Sequence, residues 1–404
     1  MRPLTVIVHK LWRRIRYLLC CNNFPKLLYT YPLPCDVVVF DRVSLPALQQ
    51  PLLQKRRFAI IHCRGEALHI NPRLLWQSLL LLRQTAGNPK YAYVLALLKA
   101  YRAKVVLTFI DNNNTMGALQ HLSSATFISI QNGMRTAFTL QGTPPIKRMP
   151  LFYCYGQRDI DLYQSCHVKT QAFFPTGSLK GGYFLDNVVQ KTAQTHYDLC
   201  LISQYISSQH THTTNPLLLD GIQKITDYFF RYLQENPQLK ACVALRGSTE
   251  HADETAYYRH LSQSTLHPVT LISQKGQPFA TYQAAYDSQI LVTYHSTLGF
   301  EALGWGKKVL FGAGTAEISP PHSWLFKEDS STIIRLEALS YTEFCRKLKT
   351  LHTLSNTHFQ QQTQMTRQYV MHTPDRPLYQ ILDETIEEIL HHGKPNPQQG
   401  LKID

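Results

Sequence analysis

The stretch QILVTYHSTLGFEALGWGKKVLFGA, residues 289–313, narrows the possible folds more than any other part of the chain. Ile290, Leu291 and Val292 form an apolar run too short for a helix and suited to a buried strand. His295, Ser296 and Thr297 follow at once, and Ser or Thr is what a helix needs as its N-cap. Gly304 and Gly306 close that helix, and Val309, Leu310 and Phe311 return to the sheet. This order puts two hydroxyls, backbone N–H groups and the positive end of a helix where a strand finishes. Such a corner suits a phosphate or diphosphate, and it is equally an ordinary capped βαβ unit. Glu301, about one helical turn deeper, is placed to accept hydrogen bonds from a ribose diol.

The same alternation runs along the whole chain and predicts α/β architecture with parallel sheets. Strands are expected at 35–41, 57–63, 104–110, 126–131 and 151–156, then at 197–203, 240–246, 268–273, 289–294 and 308–312. Helical patterns fit at 72–85, 88–102 and 113–122, at 215–235, 252–263, 278–286 and 297–304, and again after residue 339. Between the two sets lies PTGSLKGGYFLDNVVQKTAQ, where Gly177, Gly181 and Gly182 mark the expected hinge. The expectation is two Rossmann-like domains facing across a cleft, residues 31–175 and 196–372. They are joined by 176–195, preceded by a segment 1–30 and followed by a helix and tail, 373–404.

Charge points to an anionic partner, because the formal net charge is +14. Arg2, Lys10, Arg13, Arg14, Arg16 and Lys26 precede the first acidic residue, Asp36. If residues 4–19 are helical, Leu4, Ile7, Val8, Leu11, Trp12 and Ile15 fall on one arc and the basic side chains on the other. That is the pattern of a helix lying on an anionic membrane surface, and also of one packed on its own protein. The arginines interrupt any apolar core of a signal peptide, and no apolar run of about 18 residues exists to span a bilayer. Nine cysteines without a C-x-x-C pair fit a reducing cytoplasm rather than a disulfide framework. His210 and His212, in a polar loop without Cys or carboxylate companions, make a weak metal motif, and no metal is expected. No helix-turn-helix, zinc-finger or aromatic RNA-binding signature accompanies the charge, so nucleic acid is not the expected partner.

Ligands of open α/β sheets bind beyond the C-terminal ends of strands, so the residues after each strand carry the functional reading. Arg64 and Glu66 follow the second strand, Asp111, Asn112 and Asn113 the third, and Gln131, Asn132 and Arg135 the fourth. Asn, Asp and Gly also favour such turns for local reasons. Their coincidence on one rim suggests a ligand rich in hydroxyls. In the second half, Arg246 and Ser248 end the strand KACVALR and join His295, Ser296, Thr297 and Glu301 as the expected nucleotide side.

The pieces DVVVFD, RGE, VVLTFIDNNNT, FISIQNGMR, TGS and YHSTLGFEALGWGKKVLF resemble a bacterial family of surface-carbohydrate biosynthesis transferases. That family is related to the two-domain GT-B glycosyltransferases and, more distantly, to the CDP-glycerol and polysialic-acid transferases. The likeness covers roughly residues 35–315. It implies that Ser296 and Thr297 contact the donor phosphate and that Glu301 holds the ribose. Relatives using CMP or CDP carry His-Pro after the second strand of this domain. Here Arg246-Gly247-Ser248 stands there, and His267-Pro268 precedes a strand instead, so the base stays open among CMP-, UDP- and GDP-linked donors.

The expectation is therefore a nucleotide-sugar-dependent, inverting, metal-independent glycosyltransferase of surface polysaccharide synthesis (lipopolysaccharide or capsule). It would be cytoplasmic, peripheral on the inner face of the membrane, and would use a glycan or lipid-linked acceptor. Asp111 is the first choice for the base that takes the acceptor's proton and Glu66 the second. Arg64, Asn112, Asn113, Gln131, Asn132 and Arg135 are expected to orient the acceptor, and closure about the hinge to exclude water. The alternatives are a nucleotide-sugar 2-epimerase, a CDP-alditol phosphotransferase, and a non-catalytic binding protein of the same fold.

Overall fold

Runs such as VVVF and VVLT become central strands because both their faces are covered, and every residue in them is buried. The computed structural model describes residues 26–42, 45–63, 66–142, 145–189, 196–207, 216–246, 251–313 and 332–393. The basic segment 1–25, Arg64, His210, His212 and Ser248 lie outside the described residues.

The first half forms β1 (Lys26–Leu28), β2 (Val37–Phe40), β3 (Phe58–Ile61), β4 (Ala67–His69), β5 (Val105–Thr108), β6 (Thr126–Ile130), β7 (Arg148–Cys154) and β8 (Lys169–Pro175). The second half forms β9 (Tyr197–Ile202), β10 (Ala241–Ala244), β11 (Thr270–Ile272), β12 (Ser288–Thr293) and β13 (Lys308–Phe311). All ten expected strands are present; β1, β4 and β8 are additional. One sheet has the order β3-β2-β5-β6-β7-β8, and β1 pairs with β4 in a separate parallel ribbon.

By contacts the chain divides into two units. The first holds residues up to Ile130 with Arg148–Leu151 and Asp383–Gln399; the second holds Gln131–Lys147 and Phe152–Leu382. Residues 131–147 thus group with the second half of the chain rather than with the strands that precede them.

In the first unit, β2 pairs in parallel with β3 on one side and β5 on the other, and β5 with β6. The path changes direction between β2 and β5, the position at which doubly wound sheets hold ligands. Asn71 and Asn88 cap the helices Pro72–Leu81 and Pro89–Tyr101, each with Pro at its first position. A core of Val38, Phe40, Leu74, Leu95, Val106 and Phe127 fills this unit.

The second unit carries a parallel sheet in the order β11-β10-β9-β12-β13, the Rossmann succession of third, second, first, fourth and fifth strands. Its register pairs Leu291 with Cys200 and Thr293 with Phe311. Helices Pro216–Glu235, Thr297–Gly304 and Tyr341–Thr353 bury apolar faces in a core that includes Phe229, Val243, Phe300 and Leu348. The stretch expected as a Gly-rich linker contains the helix Leu179–Asn187, capped by Ser178 on the Gly181 N–H. Gly177 has φ +74°, and a Cβ there would lie 2.3 Å from the His372 carbonyl. A Cβ on Gly182 would press on Pro377 at 3.2 Å. These glycines let chain segments approach closely.

Candidate functional site

The change of direction in the second sheet falls between β9 and β12, and one side chain ties their ends together. Gln204 Oε1 accepts from the Thr293 hydroxyl at 3.0 Å and from the His295 N–H at 2.7 Å. These two donors fix which end of the Gln204 amide is oxygen. Its nitrogen then donates to His295 Nδ1 at 2.5 Å, which places the imidazole hydrogen on Nε2. Thr293 Oγ1 also accepts from the Ser296 N–H at 3.1 Å, completing the turn into the helix Thr297–Gly304. Ser296 is the N-cap residue, yet its hydroxyl makes no capping bond. A helix start left uncapped by its own N-cap side chain keeps donors for a ligand.

Arg246 joins the same rim. Its N–H donates to Glu254 Oε1 at 2.9 Å, and Ser203 Oγ donates to the same oxygen. The Arg246 guanidinium reaches the Tyr205 carbonyl at 3.3 Å and is otherwise exposed. Glu254 is buried and acts as a strut between the ends of β9 and β10.

The loop after β6 touches the helix start. Thr297 Oγ1 accepts the Met134 N–H at 3.1 Å, and a Cβ on Gly133 would lie 3.4 Å from that hydroxyl and 3.7 Å from Arg135 Nη1. Gln131 is buried, and its amide is spent on the protein. It donates to the Gly133 carbonyl and to Asp159 Oδ1, both at 3.0 Å, and accepts from the Tyr155 N–H at 3.0 Å. Arg158 pairs with Asp159 at 2.7 Å with both side chains fully enclosed, and it also donates to the Arg135 carbonyl. Gln131 therefore shapes the loop, and Asn132 and Arg135 in it are half-buried.

Glu301 is buried one turn into the helix. Its Oε1 accepts from Ser178 Oγ and from Tyr282 OH at 3.2 Å, and its Oε2 is enclosed without a hydrogen-bond partner. Burial raises its pKa against the opposing pull of the two hydroxyls and of Lys180. Burial in turn lowers the pKa of Lys180, with Glu301 opposing. Glu301 lines a pocket of about 220 Å³ with Thr176, Ser178, Leu185, Trp305, His372 and Pro374.

The first unit holds the remaining expected residues. Asp111 is fully buried, and Asn113 caps the helix Asn114–Leu119 on the Thr115 N–H at 2.7 Å, while Asn112 is exposed. Glu66 keeps about a third of its side chain exposed and lies 3.9 Å from His62 Nδ1.

Gln204, Glu254, Arg158 and Asp159 were not singled out from the sequence. The one signal for the last pair is its position, two charges one residue beyond the apolar stretch LFYCYG.

No family model matches the chain, and no curated protein does. Solved structures match its fold. A putative UDP-N-acetylglucosamine 2-epimerase from Listeria monocytogenes is 11% identical, covers 92% of this chain and 100% of its own, and has a TM-score of 0.54. The UDP-GlcNAc 2-epimerase from Neisseria meningitidis bound to UDP-GlcNAc is 14% identical over 87% of this chain and 99% of its own, with TM-score 0.50. The wall teichoic acid polymerase TagF is 9% identical over 90% of both chains, with TM-score 0.50. The fold is thus of the GT-B type, with Rossmann-like α/β domains. That is the two-domain α/β fold that the sequence led one to expect.

Proposed function

We propose that the protein is an inverting, nucleotide-sugar-dependent glycosyltransferase of bacterial surface-polysaccharide synthesis, with a glycan or lipid-linked acceptor. The observation that carries the reading is the Gln204 clamp, which holds His295 and the uncapped Ser296 at the start of the helix Thr297–Gly304. In this reading the donor's phosphate groups lie on that helix start. Ser296 Oγ, the first-turn amides and His295 Nε2–H then donate to the departing nucleotide, with Arg246 as the adjacent cation. Fixed donors aimed at a developing anion lower a barrier by roughly 3–4 kcal/mol each. Glu301 is among the residues lining the pocket of about 220 Å³, which supports its role as acceptor for the ribose hydroxyls.

The first unit supplies the proton acceptor in this reading. Glu66 is favoured over Asp111, because a base must reach its proton and Asp111 is enclosed. The N-terminal basic segment supports attachment to the inner membrane face.

A 2-epimerase shares the fold, and the two reactions part on a single requirement. Incubation with UDP-, GDP- and CMP-sugars, with and without a polysaccharide-derived acceptor, gives acceptor-dependent nucleotide release for a transferase. Conversion of a UDP-sugar to its epimer without acceptor would reject the transferase in favour of an epimerase.

A further inference from the structure

We infer that the outer face of the helix Pro72–Leu81, together with β1 and the Tyr29 segment, inserts into an anionic lipid interface. The helix is apolar on both sides. Leu74 and Leu81 are buried toward the body of the first unit. Leu75, Trp76, Leu79 and Leu80, at the spacing of a single helical face, are 43%, 62%, 59% and 63% exposed. The outer face of a water-exposed helix is ordinarily polar, and among the described residues this one presents an apolar arc instead.

The patch does not end with the helix. Leu27 and Leu68 face each other in register across β1 and β4, and both are exposed, as are Tyr29 and Leu33. The Asn71 amide donates to the Tyr29 carbonyl at 3.0 Å, Tyr31 OH donates to Gln77 at 3.0 Å, and Arg73 lies 4.8 Å over the Tyr31 ring. Strand, loop and helix are therefore one structural piece. Eight such large apolar or aromatic side chains in one piece of the first unit mark an interaction surface.

Charge selects the occupant. From Ala67 through Ile110 the sequence holds Arg73, Arg83, Lys90, Lys99, Arg102 and Lys104 and no acidic residue. Arg73 and Arg83 flank the apolar face and are exposed. An apolar helix face carrying Trp and flanked by Arg73 and Arg83 is complementary to anionic headgroups above an acyl layer. The inference is independent of the catalytic reading.

The test uses the full-length protein and vesicles of phosphatidylcholine, with and without an equal part of phosphatidylglycerol. Wild type is expected to float with the anionic vesicles and not with the neutral ones. Trp76→Ser/Leu79→Ser/Leu80→Ser, with an unchanged circular-dichroism melt, is expected to lose roughly tenfold or more of that binding. Brominated phosphatidylglycerol should quench a fluorescence component present in wild type and absent in Trp76→Phe. Equal flotation of the triple variant, or no quenching assignable to Trp76, would overturn the proposal and leave lipid binding to another segment. A wild-type dimer that the triple variant breaks, without lipid binding by either, would assign the face to a second copy instead.

Discussion

Thr297 Oγ1 and the Met134 N–H are 3.1 Å apart, so a loop of the chain's first half and a helix start 163 residues later are bonded directly. Thr297 cannot then be read only as a phosphate ligand, because its oxygen also positions the loop that carries Asn132 and Arg135. Thr297→Val should strand the Met134 amide at a cost of about 1–3 kcal/mol and weaken donor binding by about tenfold. Thr297→Ser should keep both close to wild type. Thermal unfolding and titration calorimetry on the two variants check this.

Gln204 holds two strand ends through three hydrogen bonds. In Gln204→Leu the His295 N–H and the Thr293 hydroxyl lose their acceptor, at about 1–3 kcal/mol for each group left unpaired. Stability measured by denaturant titration should fall accordingly, and nucleotide affinity with it. A fall in stability with unchanged nucleotide affinity would confine Gln204 to the scaffold.

The two candidate bases separate by exposure. Glu66→Gln should lower turnover by about a hundredfold or more and leave donor affinity within about twofold. Asp111→Asn should act chiefly on stability, since its carboxylate is enclosed. Loss of turnover in Asp111→Asn at unchanged Tm, with an active Glu66→Gln, would reverse the assignment.

Glu301 has a folded-state pKa raised by burial. The native state therefore holds this proton more tightly than the unfolded chain does. The burial penalty is absent below the ordinary glutamate range and grows as pH rises through the raised value. Glu301→Gln removes the titration, so its stability relative to wild type should increase from pH 4 to pH 8, by about 1.4 kcal/mol for each pKa unit of the shift. Unfolding titrations at both pH values measure the difference. A constant difference would show that the carboxyl is not perturbed.

The sequence made the repetitive part of this molecule legible, because an apolar strand followed by a capped helix declares itself within about fifteen neighbouring residues. Hence the ten expected strands and the helix start at Ser296 stand where they were expected. Apart from β8 (Lys169–Pro175), what escaped was short or non-local. Strands β1 and β4 have three residues each and no alternation to read. Gly181 and Gly182 resembled a flexible linker, yet they sit in a helix where small side chains admit Pro377 and the Ser178 cap. The loop 131–135 read as the end of a first-domain strand. Its partners, Asp159, Tyr155 and Thr297, lie 24 to 163 residues away and leave no local trace. Gln204 is an unremarkable residue after a strand until β12 is laid beside it.

Binding at the helix start is the claim on which the rest depends, and titration calorimetry with CMP, CDP, UDP and GDP tests it most directly. Wild type should bind at least one of the four, and Ser296→Ala/Thr297→Ser should bind that nucleotide at least about tenfold more weakly, the equivalent of 1.4 kcal/mol. Binding of equal strength in the double variant, or no binding of any of the four by wild type, would contradict the account.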